Sequence, residues 1–454
     1  MRHVRATAGA MLLLAGCAGP RPPMPAAAVV PVPVGWRSGT ADGGAIDARW
    51  WRGFGDPALD ALITQALARN NDLLEATART AEARAGFQLA AGQARPSLGL
   101  SGQGGQERTL NAFGAGLDQR YATGAFTAGY EIDLFHRLSA ATEAARARLL
   151  ASEAAQDAAR LAVVAAVVEG YVGLCVLDAK RAIAQAALDA RAQERGLVRR
   201  RVDAGYSSQL QLAQADAEFE TAARLVPATE RAIARQENAL SLLAGSVPEA
   251  VQRGRGLDAL MLPDPPAALP SELLRQRPDI AEAEADLAAA DHDLDAARAA
   301  FLPRVRLEAS GGAVASSAIA DPVSLFALGG SVLAPLFEGG RLRAAQSGAA
   351  ARRDAAAFAY RRTVLSAFAD VENALAASAA LAREDAAARR QRDALDRAFV
   401  LADARTKAGY DASLERLVAQ RSLLDAQLAV AEVRGARLQA AVALFRSLGG
   451  GWRR

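Results

Sequence analysis

From Trp50 to Leu448 apolar residues recur at intervals of three and four, and twice that helical spacing gives way to glycine-rich stretches in which apolar and polar positions alternate. Asp56-Pro57 supplies an N-cap followed by a proline suited to the first helical position, and Leu59, Leu62, Ile63, Ala66 and Leu67 follow on one face. The pattern predicts a helix from there to Arg95 with a break near Asn70-Asn71. A second run, from about Arg137 to Asp203, contains no proline, and its Leu161, Val164, Val168, Tyr171 and Cys175 step by three and four like a coiled-coil seam. Such a run is about 100 Å long. Gly205-Tyr206-Ser207 interrupts it, and another helix is expected from about Gln209 to Leu243. The second half predicts Ser271 and Asp279 as N-caps, the latter in a capping box with Glu282, then a helix to about Phe301. A long helix from Arg341 to Ala408 follows, then a break at Gly409-Tyr410 and a last helix to Leu448, where Leu417, Leu424, Ala431, Leu438 and Phe445 recur every seven residues.

The two halves share their landmarks. Ala204-Gly205-Tyr206 returns as Ala408-Gly409-Tyr410 at an offset of 204, Arg95-Pro96 aligns with Leu302-Pro303 at 207, and Leu134-Phe135 with Leu336-Phe337 at 202. Agreement at three points predicts two copies of one unit, at residues 51–245 and 271–454, joined by a proline-rich connector at 246–270. Each copy carries a candidate β-hairpin, at about 96–135 and 303–337. Phe126, Ala128, Tyr130, Ile132 and Leu134 alternate with Thr127, Gly129, Glu131 and Asp133; Leu98 and Leu100 alternate with serine and glycine; Val305, Leu307 and Ala309 alternate with Arg304, Arg306 and Glu308. Phe326, Leu328 and Val332 follow the same rule less cleanly.

Composition sharpens this picture. The hydrophobic share is 51% but aromatics are only 5%, so alanine carries much of it and close-packed helices are expected. Lys+Arg of 53 against Asp+Glu of 50 leaves +3 with both signs interspersed, which excludes a field able to hold nucleic acid. Three histidines, His3, His136 and His292, lack metal-ligand spacing, and the acidic residues around His292 lie two apart on a helix and so point to different sides. No cofactor, no metal and no nucleophile-base constellation is expected, and the chain reads as a non-enzyme. Leu161 to Leu177 is apolar, but Glu169 and the seam spacing fit a bundle interior better than a membrane helix.

The N-terminus carries Arg2, His3 and Arg5, then an apolar run from Ala6 to Leu14 too short to span a bilayer, then Leu14-Ala15-Gly16-Cys17. This tetrapeptide resembles the lipobox of bacterial lipoproteins, which implies cleavage of residues 1–16 and a covalent lipid on Cys17. Ala18 in the next position implies the outer membrane. Residues 17–50 then form a lipid-anchored, proline-rich linker, expected to be an extended spacer. Behind an export signal, hairpins with strands of about ten residues fit transmembrane strands. An exposed strand edge is not tolerated in lipid and four strands cannot close, so other copies must complete the sheet.

The chain resembles the TolC-type outer-membrane efflux proteins, in the lipoprotein branch that serves resistance-nodulation-division (RND) pumps. The resemblance covers nearly the whole chain and rests on four strings: Trp50 to Leu59 (WWRGFGDPAL), Leu269 to Ile280 (LPSELLRQRPDI), Ala297 to Pro303 (ARAAFLP) and Leu448 to Trp452 (LGGGW). It implies an α+β membrane protein: a homotrimeric 12-stranded outer-membrane barrel, four strands per chain, continuous with a long periplasmic coiled-coil barrel. It also implies a passive exit duct, docked to a periplasmic adaptor (membrane fusion) protein and an inner-membrane RND-type pump. The aperture and adaptor-docking region would map to Gly205, Tyr206, Gly409, Tyr410, Glu415 and Arg416. Relatives place two acidic residues one turn apart after the second turn; here the positions hold Glu415 and Val418, so one ring is lost, and Arg416 beside Glu415 is expected to alter the local field. The alternative is a periplasmic coiled-coil scaffold or adaptor lipoprotein without a pore, which the four alternating strands argue against.

Overall fold

The computed structural model describes residues 21–37, 46–110, 112–263, 270–408, 410 and 413–452. Helices α1 (Pro57–Arg69) and α2 (Asn71–Gln93) are followed by strands β1 (Ser97–Leu110) and β2 (Gly116–Ile132), then by α3 (Arg137–Asp203) and α4 (Gln209–Leu243). The second half gives α5 (Pro270–Gln276), α6 (Pro278–Ala299), β3 (Arg304–Ser316), β4 (Val323–Leu333), α7 (Arg341–Lys407) and α8 (Ser413–Ser447). Both α3 and α7 have 67 residues, both α4 and α8 have 35, and each pair starts 204 positions apart.

The helix boundaries follow from local chemistry. Asp56 caps α1 by accepting from the amides of Ala58 and Leu59, with Pro57 in the first turn. Gly205, at φ 78°, ends α3 in a Schellman turn, the amide of Tyr206 donating to the Arg201 carbonyl at 2.7 Å. Ser208 then starts α4 with a capping box to Gln211, a signal present in the sequence as Ser-x-x-Gln. The amide of Tyr410 likewise reaches back to the Arg405 carbonyl at 3.2 Å; Gly409 lies outside the described residues. Two expected caps are not caps. Ser271 and Asp279 sit inside the first turns of α5 and α6, and Asp279 bonds its own neighbour's amide at Ile280 and the guanidinium of Arg277. Pro227 lies inside α4, where it removes one ladder hydrogen bond.

The chain forms two compact units. One takes in Arg79–Glu153, Glu282–Arg362 and the N-terminal stretch to Val29; the other Val30–Ala78, Ala154–Ala281 and Thr363–Arg454. The first holds the sheet, in the order β1-β2-β3-β4 with every pair antiparallel, above a helical interior of Ala144, Ala147, Ala151, Ala285, Ala289, Leu294, Ala349 and Ala357. Small side chains there let helix backbones approach closely. The second unit buries Val163, Val164, Ala165, Val167, Val168, Tyr171, Val172, Leu174 and Cys175 of α3, so the apolar run is bundle interior over most of its circumference rather than along one seam. On α8 the heptad positions Ala431, Leu438 and Phe445 are buried, and Leu417 and Leu424 are half-buried.

Three of the strings that carry the family resemblance meet in this second unit. Trp50 stacks on Phe445 at 5.0 Å and 12°, the Trp452 indole donates to Asp157 at 2.8 Å, and the Arg277 guanidinium donates to the Ser447 carbonyl at 3.0 Å. Gly449, Gly450 and Gly451 all have positive φ, and a Cβ on Gly449 would lie 1.8 Å from the Gln276 carbonyl oxygen. Asp56 does more than cap: it also accepts from the Tyr171 hydroxyl at 2.9 Å and the Arg255 amide at 2.7 Å. Burial raises the Tyr171 hydroxyl and pushes the Cys175 thiol up to about 12, which fixes both as neutral core groups.

The described part of the proline-rich stretch, residues 21–37, contains a 3-10 turn at Ala26–Ala28, and it is not a free spacer. In the first unit Arg21 pairs with Asp291 at 2.7 Å, and the buried Arg353 donates to the carbonyls of Pro22 and Pro23 at 3.0 and 3.1 Å. In the second, Trp36 packs edge-on against Phe368 and the Arg37 amide donates to Glu372. Proline-rich backbone has free carbonyls, and buried arginine donors take them. Cys17 lies outside the described residues.

Candidate functional site

Register decides what each face of the sheet presents. Val305 faces Val332 and Ile132, Leu307 faces Tyr130 and Gly330, Ala309 faces Ala128 and Leu328, and Gly311 faces Phe126 and Phe326. Leu98 and Leu100 join them opposite Ala128 and Phe126. Because pairing keeps directly opposed residues on the same side, one face is apolar across all four strands. The other presents Ser97, Ser101, Gln103, Thr123, Thr127, Glu131, Arg304, Arg306, Glu308, Ser310 and Ser331, with Val314, Val323, Leu325 and Leu333 the apolar exceptions toward β4. The sheet is hollowed on this polar side, where Ser97, Thr127, Arg306, Glu308, Ser310 and Ser331 line a cavity of about 690 Å³.

The apolar face is uncovered. Phe326 is 90% exposed and Leu328 85%, values without precedent in a packed core. The apolar rows extend from Val305 to Ala315; that length, about 33 Å along a strand, becomes about 25 Å of height at a tilt near 40°, matching the belt of an outer-membrane barrel. At the helix-side end, exposed Leu134, Phe135, Leu336 and Phe337 form an apolar and aromatic margin. The strands are longer than the ten residues expected, at 14, 17, 13 and 11, because β1 and β2 continue as a polar hairpin beyond the apolar rows. Within one chain β1 and β4 each keep an unpaired edge.

The predicted aperture residues lie in the second unit. Gly205 and Tyr206 form the first helix turn, and Tyr206, Tyr410, Leu414 and Val418 are all exposed. Glu415 is exposed and pairs with Arg405 across the second turn at 2.9 Å. Arg416 forms its ion pairs away from Glu415: successive helical residues point in different directions, and Arg416 turns inward to Glu194 and to Asp403 at 3.4 Å. The residue that offsets Glu415 is Arg405.

Above the turns the sequence reading missed a buried charge network. Arg191 of α3 pairs with Glu218 of α4 at 3.2 Å and with Glu194 at 3.5 Å, and donates to Gln420 of α8 at 2.7 Å. Arg421 also bonds Glu218, and Arg416 links Glu194 to Asp403 of α7. All four helices are thereby tied by alternating charges. Arg191 is only 4% exposed, and burial pulls its guanidinium down against the support of Glu194. The Asp403 carboxyl is held below the usual carboxylate range by its hydrogen bond from Lys407 and by the charges of Lys407 and Arg416, against the opposing pull of burial. The only sequence signal was the density of arginine and acid on otherwise helical stretches.

The acidic residues near His292 are occupied by arginines: Asp291 and Asp295 by Arg21, and Asp293 by Arg148. Among the described residues no cluster of three or more His, Cys, Asp or Glu is arranged to hold a metal ion.

Comparison with known proteins gives these surfaces a context. The family model described as outer membrane efflux protein matches residues 62–246 and again 269–450. The chain is 35% identical over 458 residues to the pyoverdine export outer membrane protein OpmQ of Pseudomonas aeruginosa, covering 98% of this chain and 96% of that protein. It is 36% identical over 439 residues to the outer membrane protein OprJ of the same organism, covering 93% and 91%. The solved open state of the Neisseria gonorrhoeae MtrE outer membrane channel superimposes with a TM-score of 0.84 at 31% identity, covering 96% of this chain and 98% of that one. Exposed apolar strands, long paired helices and these matches over both halves lead to one statement: the chain belongs to the outer membrane efflux protein family.

Proposed function

We propose that three copies of this chain close a 12-stranded barrel in the outer membrane, with the helices forming a periplasmic tunnel, and that the assembly is a passive exit duct. As a member of its family the chain is an outer-membrane efflux channel and not an enzyme. The observation that carries the trimeric reading is the sheet: its apolar face has the height of a bilayer core, its polar face is concave, and its two edges are bare, so only further strands can satisfy the edge groups in lipid. Two structural repeats, residues 51–245 and 271–454, underlie the trimer's pseudo-symmetry; the double match of the family model and the equal helix lengths support them. Cys17 carries the lipid anchor.

The turns at Gly205-Tyr206 and Gly409-Tyr410 dock the periplasmic adaptor, which joins the duct to an inner-membrane RND-type pump. Energy comes from that pump. Opening separates α7 and α8 from α3 and α4 and therefore breaks the network around Arg191, Arg416 and Arg421, which favours the closed arrangement until the adaptor compensates for it. The cargo is a class of small organic molecules, in keeping with relatives named for pyoverdine export and for toluene efflux. Mass measurement of the detergent-solubilised protein and single-channel recording in planar bilayers test this reading together. A threefold mass and discrete conductance steps are expected; a monomer without conductance overturns it and favours the pore-free scaffold.

A further inference from the structure

Beyond its apolar rows, the outer face of the β1–β2 hairpin changes character. The next rows up hold Gln106 opposite Arg120 and then Arg108 opposite Asp118, on the same side of the sheet as Leu98, Leu100 and Phe126. All four side chains are exposed. The helices connect to the opposite ends of the strands, so this end points away from the periplasm and lies level with the headgroups of the outer leaflet. Arg108 and Arg120 are diagonal neighbours on paired strands, about 7–8 Å apart at their backbones, close enough for both guanidinium forks to converge on one phosphate. Arg108 has a carboxylate partner, Asp118, at 3.5 Å with both groups well exposed; Arg120 pairs with no carboxylate among the described residues. Gly116, whose missing side chain leaves room for the Arg108 guanidinium, keeps this arm lying along the outer face.

We infer that Arg108 and Arg120 form a binding site for the phosphate-bearing headgroup of an outer-leaflet glycolipid. Four features agree on this occupant: the site continues a lipid-facing surface, it occupies the first two rows beyond the apolar limit, it carries a net positive charge, and its arginines are spaced for a shared phosphate. Asp118 is a built-in competitor for Arg108, so the site is of moderate strength and exchanges its lipid. Arg120 supplies the uncommitted charge. Three such sites would ring the barrel.

The inference rests on the barrel reading above, and its test separates the two. The full-length protein in mild detergent is titrated with bis-phosphorylated lipid A and with its dephosphorylated form, and bound lipid is counted by native mass spectrometry. The wild type is expected to retain the phosphorylated lipid and the double variant R108Q/R120Q to bind it at least about tenfold more weakly, since each basic residue at a membrane surface contributes roughly fivefold in affinity. D118N is expected to bind it more tightly than the wild type, an outcome that a merely misfolded variant cannot imitate. Single-channel recordings on the same preparations serve as the control. Conducting channels with equal lipid retention in wild type and double variant, or equal binding of the dephosphorylated lipid, overturn the phosphate site alone; absence of channels in the wild type overturns the barrel reading.

Discussion

Glu415 illustrates how one side chain's role depends on what stands beside it. Arg405 stands 2.9 Å from Glu415 and Val418 one turn on is apolar, so in the trimer proposed above the ring of Glu415 would present a partly neutralised field. Replacing Arg405 with glutamine should therefore raise cation selectivity, and Glu415→Gln should lower it; reversal potentials in a salt gradient measure both, and no shift in either variant removes Glu415 from the aperture. Gly450 is a different kind of residue, fixed by geometry. Its φ is 58° and an added Cβ would lie 2.2 Å from Leu161 Cδ1. Gly450→Ala should cost about 2 kcal/mol, read as a lowered midpoint of unfolding, because both strain and overpacking act. The sequence showed three successive glycines before Trp452, and it showed the Asp56-Pro57 cap. It could not show that Asp56 also receives Tyr171 and Arg255, since those contacts depend on tertiary placement.

At the level of elements, the helices were legible because their signals are local: glycine at a Schellman turn, serine before glutamine at a capping box, and long runs free of proline. The false caps at Ser271 and Asp279 arose because proline can begin a helix and leave the apparent cap one residue inside. Strand facing was legible from period two, whereas strand length was not, because β1 and β2 keep pairing after their apolar residues end. Leu100→Arg or Phe326→Arg on the apolar face should lose about 2–4 kcal/mol of insertion free energy, while Thr127→Arg on the polar face should insert nearly as well as the wild type; the fraction folded into lipid vesicles reports all three. The charge network makes a prediction of its own with pH. Asp403 titrates below its unfolded value, so its contribution is present above the usual carboxylate range and fades as the pH falls through the depressed folded value. The midpoint of thermal unfolding should therefore stay flat near pH 6 and fall only below about pH 4. A fall centred on the histidine range would assign the pH dependence elsewhere.

For the whole molecule, repetition is the main lesson. Two pairs of helices of equal length, offset by 204 positions, allow neighbouring hairpins to be carried at the same height. A residue inserted into α3 at position 180 would rotate everything after it by about 100° relative to its partners. Adaptor-dependent efflux should then fail while barrel conductance survives, which separates duct from pore. The sequence conveyed this architecture through landmarks and motif strings, but the N-terminal strap escaped it. Proline-rich composition describes a chain's stiffness and says nothing about Arg353 waiting for its carbonyls.

The bare margins of the four-stranded ribbon have a further consequence for the life of a newly exported copy. In the trimer proposed above, each single polypeptide carries, until it meets two siblings, unpaired strand edges along both borders and a greasy flank that water rejects. Its most dangerous interval is thus the journey, not the working state. Synthesis that outruns encounter should send the surplus into aggregates or to envelope proteases, so the cell's tolerance for this protein is set by escort and assembly capacity.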